Sequence, residues 1–225
     1  MRILNIIFDL DGTLIDSARL TGAIVDSMLA KRGAEASANR ALIRSMDAIG
    51  GEAMIAAALG AYSTDPAREI EEFRAIHRIV EVPSDLPFSG VRETLEALAA
   101  AGVGMAICSN KPQFLCERIL SELDLAQHFV AIIGSAPERA RKPAPQSALL
   151  ALEAISGTAA NTLYCGDSVI DLATAKAARL TAVLVAWGYG THEAIAINPQ
   201  TPVLKSMSDL RDAVLQHRRL NLGGG

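Results

Sequence analysis

The chemistry of this chain is concentrated in short polar stretches that follow apolar runs. In the first, Asp9 and Asp11 flank Leu10 and precede Gly12 and Thr13. Two carboxylates one residue apart leave an extended strand on the same face. Gly12 lets the backbone turn tightly behind them. Such a pair can bind a hard divalent cation through oxygen while one carboxylate stays free for nucleophilic or acid–base work. A plain polar turn closing a strand is the other reading of the same residues.

Three further stretches have a related character. Ser109-Asn110-Lys111-Pro112 joins an apolar run to a helical pattern. A hydroxyl, an amide and backbone N–H groups at a helix start make a phosphate cradle, and they also make an ordinary cap. Arg141-Lys142-Pro143 offers a cation just before a helix. Such a cation can neutralise charge on a transferring phosphoryl group or simply be solvated. Gly166-Asp167-Ser168 follows an apolar run, with Asp171 one helical turn after Asp167 and on the same side. Capping of the helix by Asp167 is the other reading, and it does not explain Asp171.

The elements that must position these residues are legible as a pattern. Ile3–Phe8, Gly104–Cys108, Val130–Gly134, Thr162–Gly166 and Ala182–Ala186 read as strands buried on both faces, as in a parallel sheet covered by helices. Helical stripes lie between them: Val91, Leu95 and Leu98, stopped by Gly102; Leu115, Ile119 and Leu123 after Pro112; Ala148, Leu152 and Ile155; and Ile170–Ala178. This alternation predicts an α/β fold with a doubly wound, Rossmann-like parallel sheet. Ligands of such sheets bind beyond the carboxyl ends of the strands, where the polar stretches fall.

Residues 17–85 break the rhythm and read as helices alone: Ala18–Lys31, Arg40–Met46, Gly51–Leu59 and Asp65–Val80. The last has Asp65 as N-cap, Pro66 in its first turn, and Ile70, Phe73, His77 and Val80 along one face. The expected organisation is a core of residues 1–16 and 86–225 with an inserted α-helical cap domain at 17–85.

The bulk properties narrow the function. A formal net charge of −4 gives no electrostatic case for nucleic acid. No segment reaches the roughly 18 apolar residues of a membrane span. Cys108, Cys116 and Cys165 form no paired framework, which suits a reducing, cytoplasmic location, and they read as packing residues. A cysteine phosphatase needs an Arg shortly after its Cys, yet Phe114, Glu122 and Asp171 stand six residues beyond the three cysteines. His77 reads as a packed residue; Trp187 and Tyr189 could line the site edge or pack.

Taken in order and spacing, the four stretches resemble the motifs of the haloacid-dehalogenase superfamily. Asp9-Leu10-Asp11-Gly12-Thr13 resembles the first, Ser109-Asn110 the second, Lys142-Pro143 the third and Gly166-Asp167-Ser168-x-x-Asp171 the fourth. The resemblance implies that Asp9 is the nucleophile and Asp11 the acid and base. It implies that Thr13, Ser109 and Asn110 serve the loop and the phosphoryl oxygens, and that Lys142 balances charge. It further implies Mg²⁺ on Asp9, on the backbone carbonyl of Asp11 and on Asp167, with Asp171 organising its surroundings. An Asp at position 11 favours phosphate ester chemistry over dehalogenation.

Within the superfamily, several stretches are most similar to phosphoglycolate phosphatases: Asp11–Ser17, Ile49-Gly50-Gly51, Pro87–Val91, Ser109–Pro112 and Trp187-Gly188-Tyr189-Gly190. Gly50 and Gly51 would be the cap loop that meets the substrate. Ser89 stands where a second Pro is frequent, and Arg179 where Gly often ends the helix after the fourth motif. The implied partner is a small phosphorylated metabolite, phosphoglycolate above others; the sequence leaves the oligomeric state open. A sugar-phosphate mutase of the β-phosphoglucomutase type and a non-catalytic binding module are the alternatives.

Overall fold

The computed structural model describes residues 4–46 and 51–215. The chain divides into two compact units, Met1–Ile15 with Pro87–Gly225, and Asp16–Leu86.

The first unit is a six-stranded sheet. β1 (Asn5–Phe8) is buried at every residue. β2 (Gly104–Pro112), β3 (Ala131–Ser135), β4 (Thr162–Gly166), β5 (Thr181–Val185) and β6 (Val203–Leu204) complete it in the order β3-β2-β1-β4-β5-β6. Every strand pairing is parallel. This is the doubly wound α/β fold expected from the alternation of apolar runs. The chain winds outward from β1 through β2 to β3, then returns to start again at β4. The switch point therefore lies between β1 and β4, where such sheets open a ligand crevice.

Register brings the functional strand ends level. Phe8 pairs with both Ile107 and Cys165, so Asp9, Cys108 and Gly166 follow at one height. The β2–β3 pairing slips between Cys108 and Pro112: Cys108 faces Ile133 and Pro112 faces Ser135. Ser109, Asn110 and Lys111 thus bulge out of the ladder, a device that re-aims side chains beside sites.

Helices complete the unit: α5 (Val91–Ala100), α6 (Gln113–Glu122), α7 (Gln146–Ala154), α8 (Val169–Ala177), α9 (Thr191–Ile197) and α10 (Met207–Leu215). Among the core residues, Ile7, Ala106, Cys108, Ala148, Ala151 and Tyr164 pack into one cluster. The short strand β6 and helices α9 and α10 carry no pattern long enough to have been expected.

The second unit is helical: α1 (Ser17–Lys31), α2 (Arg40–Met46), α3 (Gly51–Leu59) and α4 (Pro66–His77). The Asp65 side chain accepts the Arg68 N–H and Pro66 opens α4, as its sequence dictates. Ile70, Phe73 and His77 are buried along one face, but α4 stops at His77 and leaves Val80 outside it. Phe73 and His77 meet edge to face with ring centroids 5.6 Å apart, so His77 is a packing residue. Among the described residues no helix is long and apolar enough to cross a membrane.

Candidate active site

The site grows from the end of β1. The Asp9 N–H donates to the Cys165 carbonyl at 2.8 Å, which ties the end of β1 to β4. The chain then turns on itself: the Leu14 and Ile15 N–H groups both donate to the Leu10 carbonyl. Gly12 sits at φ +76°, and a Cβ there would lie 2.7 Å from Asp167 Oδ2. Glycine is required at this position on both counts. Thr13, fully buried, turns its hydroxyl to Asp167 Oδ1 at 3.4 Å, while its carbonyl accepts the Trp187 indole N–H.

Asp9 is 7% exposed and faces Lys142 from across the sheet edge. Lys142 Nζ donates to Asp9 Oδ1 at 2.8 Å and to Asp171 Oδ1 at 2.7 Å. Asp171 is held by α8. Ser168 caps that helix in a reciprocal box with Asp171: its hydroxyl donates to Asp171 Oδ2 and accepts the Asp171 N–H. The Asp167 and Ser168 N–H groups also donate to Oδ2, and the Tyr164 hydroxyl lies 3.2 Å from Oδ1. Five donors surround one carboxylate, about the number its lone pairs can serve. Ser168 caps α8, which leaves Asp167 available; its Oδ2 accepts the Gly190 N–H.

One oxygen from each of Asp9, Asp167 and Asp171 falls within 4.8 Å of the others. Three carboxylates against one ammonium leave a formal charge of −2 in a buried pocket. Burial, then the charges of Asp171 and Asp167, raise the Asp9 carboxyl well above its ordinary range despite Lys142. Burial and the Asp171 charge push Asp167 up to about 7. Burial acts the same way on Asp171, but Lys142, Ser168 and the backbone donors outweigh it and hold that carboxyl low. Burial would lower Lys142, and Asp171 and Asp9 more than reverse this. A compact set of hard oxygen donors with surplus negative charge fits a divalent cation.

The other residues singled out from the sequence are placed as follows, each within its own unit. Asp11 lies outside the carboxylate group; its Oδ1 is 3.1 Å from Lys111 Nζ, and both side chains are largely buried. Ser109 is 2% exposed, and its Oγ accepts the Lys111 N–H at 3.2 Å. Asn110 turns its amide to the Lys142 main chain. Gly51 stands at φ +63° at the start of α3 in the helical unit, and Gly50 lies outside the described residues. The cysteines are buried, and burial pushes Cys108 up to about 11, in keeping with packing residues.

Sequence reasoning did not single out Lys111 or Tyr164. Lys111 carried a readable signal, since it directly follows Ser109-Asn110 at the same strand end. Tyr164 carried none: a tyrosine in an apolar strand reads as core. Trp187 packs against Phe88, with ring centroids 6.2 Å apart, besides bonding Thr13.

A family model for haloacid dehalogenase-like hydrolases matches residues 6–185. A phosphoglycolate phosphatase of Xylella fastidiosa is 36% identical over 198 residues, covering 88% of this chain and 85% of the relative. A haloacid dehalogenase-like hydrolase from Streptococcus pneumoniae has a similar structure, with TM-score 0.74 at 20% identity, covering 92% of this chain and 96% of that one. CbbY from Rhodobacter sphaeroides, solved with xylulose-(1,5)bisphosphate, shares the fold with TM-score 0.71 at 22% identity, over 92% of this chain and 96% of its own. With the four motif stretches gathered at one sheet edge and the match running through nearly all of the sheet, the chain belongs to the haloacid dehalogenase-like hydrolase family.

Proposed function

We propose that this protein is a magnesium-dependent phosphatase acting on a small phosphomonoester, phosphoglycolate above others, through an aspartyl phosphate on Asp9. The observation that carries this reading is the contrast between two carboxylates two residues apart. Asp9 is buried against Lys142 in the acidic group, whereas Asp11 lies outside it beside Lys111. Different surroundings suit a nucleophile and a proton carrier in one site.

In the first step Asp9 attacks phosphorus as the ester P–O bond breaks, and Asp11 gives its proton to the departing alkoxide. In the second, Asp11 takes a proton from water, the water oxygen attacks phosphorus, and the Asp9–phosphorus bond breaks to release inorganic phosphate. Lys142 offsets phosphoryl charge while held by Asp171, and the Ser109 hydroxyl and the Asn110 main-chain N–H meet the phosphoryl oxygens. Thr13 secures Asp167. Asp9, Asp167 and the Asp11 carbonyl would hold Mg²⁺, and Asp171 would steady this arrangement. The ion supplies charge neutralisation for a reaction that consists chiefly of positioning and electrostatics.

The family resemblance supports reading residues 17–85 as a cap domain, with Gly50 and Gly51 forming its substrate loop, on a core of 1–16 and 86–225. Phosphoglycolate rests on the names of relatives such as that of Xylella fastidiosa. Three unpaired cysteines support a cytoplasmic setting.

The test is a panel of phosphoglycolate, hexose phosphates, nucleotides and pyrophosphate with Mg²⁺, read as free phosphate. Phosphoglycolate should be hydrolysed best and Asp9→Asn should abolish turnover. Steady-state hydrolysis that survives Asp9→Asn would overturn the mechanism. Isomerised sugar phosphate without phosphate release would favour the mutase.

A further inference from the structure

Asn110 lies in the bulge of β2, where the ladder to β3 is interrupted between Cys108 and Pro112. Its side-chain amide is committed at both ends to one residue 32 positions away. Oδ1 accepts the Lys142 N–H at 2.8 Å, and Nδ2 donates to the Lys142 carbonyl at 3.2 Å. This pattern also fixes which way the amide faces, because only Oδ1 can accept the N–H. The same lysine is 7% exposed and places its ammonium between Asp9 and Asp171.

The stretch that carries Lys142 has no strand or helix of its own; it runs from the end of β3 at Ser135 to the start of α7 at Gln146. It is pinned at its base by Gln113, whose Oε1 accepts the Gly134 N–H at 2.7 Å and whose Nε2 donates to the Ile132 carbonyl at 2.7 Å. Nearer its tip, the Gln146 side chain accepts the Ala140 N–H at 2.9 Å. Asn110 is the side chain that grips the main chain of Lys142 itself. A long, flexible lysine stem holds its charge in one place only when its backbone is fixed, since its rotamer freedom is large.

We infer that Asn110 is a positioning residue: its amide clamps the main chain of Lys142, so that the Lys142 ammonium stays on Asp9 and Asp171. The side chain then acts on the reaction through Lys142 and not by direct contact with the phosphoryl group. This rests on the phosphatase reading for its kinetic readout and on the hydrogen bonds alone for its structural one.

The test compares the whole wild-type chain with Asn110→Ala and Asn110→Asp, on phosphoglycolate and p-nitrophenyl phosphate, with inorganic phosphate as competing product. Asn110→Ala should lower kcat by about tenfold to a hundredfold, the scale of a slightly misplaced catalytic group. KM and the inhibition constant of phosphate should stay within about threefold, because no contact with phosphate is lost. Asn110→Asp keeps the acceptor for the Lys142 N–H and should retain more activity than Asn110→Ala. In a cycle with Lys142→Arg, the two losses should fall well short of multiplying, as for residues acting through one another.

Amide hydrogen exchange gives a reading that needs no activity: the Lys142 N–H should exchange about tenfold faster or more in Asn110→Ala, as its acceptor is gone, while β1 and β4 stay protected. A tenfold rise in the phosphate inhibition constant with kcat near wild type would overturn the clamp and make Asn110 a phosphate ligand. Unchanged exchange at Lys142 would overturn it as well. A wild-type chain that hydrolyses no phosphomonoester, yet shows the exchange difference, would sink the phosphatase reading and leave the clamp standing.

Discussion

The ammonium of Lys111 lies 3.1 Å from Asp11 Oδ1, with side-chain exposures of 11% and 13%. The pair joins the bulge of β2 to the loop after β1, and it sets the direction of the carboxylate proposed to move protons. An exposed ion pair is worth little, but this one is largely removed from water and lies at the proposed site. Lys111→Met keeps the length of the side chain and removes its charge. We expect kcat to fall about tenfold, a fraction of what a well-placed proton carrier contributes, with the thermal midpoint nearly unchanged. A kcat equal to wild type would show that Asp11 needs no such partner.

Lys142→Ala strips the buried acidic group of its counter-charge. Removing one partner of a buried ion pair typically costs about 3–5 kcal/mol because the other charge is left uncompensated. Without Lys142 the folded-state pKa of Asp9, already raised, rises further, and Asp171 loses the main charge that holds its own carboxyl low. The penalty is then full at neutral pH and is relieved as pH falls and these groups take up protons. Urea denaturation of the variant and wild type at pH 7.5 and pH 5 should show the gap narrowing on acidification. A gap independent of pH would point to lost packing instead.

The acidic group predicts a second pH effect, in the wild-type protein freed of divalent ions. Burial and Asp171 raise Asp167 from an ordinary 3.8 to about 7. Between those values the folded state binds more protons than the unfolded state, so stability falls as pH rises through the window. Asp9, raised for the same reason of burial and neighbouring carboxylates, adds to the trend. A cation that binds only the folded protein opposes it, contributing about 2.7 kcal/mol at a hundredfold excess over its Kd. Thermal scans with and without Mg²⁺ should show stabilisation at pH 7.5 that fades by pH 5. Equal stabilisation at both pH values would mean that the ion binds elsewhere.

Much of this candidate site was legible because each strand end shows where an apolar run stops, and the acidic group with its lysine gathers at those stops. Asp9, Lys142 and Asp171 could be placed at one sheet edge before any geometry was known. Most of what escaped depends on contacts between distant residues. The β2 ladder was expected to end at Cys108, yet pairing resumes at Pro112 after the bulge. Gly134 makes room there: a Cβ on it would stand 2.8 Å from the Lys111 carbonyl. The grip of Asn110 on Lys142 has no local sequence signature, because it joins residues 32 positions apart. The hydroxyl of Tyr164 near Asp171 is a local contact between β4 and the helix after it, hidden because a tyrosine in an apolar strand reads as core. Asp167 was equally readable as a helix cap, and only the position of Ser168 decides against it.

Arg179 carries a consequence of its departure from the family pattern. It follows the end of α8 at φ +59°, the left-handed conformation in which a glycine is common. The main-chain bonds that close the helix are in place: the Arg179 N–H donates to Lys176 and the Leu180 N–H to Ala175. The turn therefore forms at a steric cost of roughly 1–2 kcal/mol for a residue with a Cβ. Glycine removes that cost but gives back part of it as backbone entropy in the unfolded chain. Arg179→Gly should accordingly stabilise the protein by about 0.5–1 kcal/mol, read as a higher urea midpoint with unchanged slope. Because Arg179 touches none of the reacting groups, kcat and KM should not move. A lower midpoint would show that the arginine stem makes packing contacts worth more than the strain it carries.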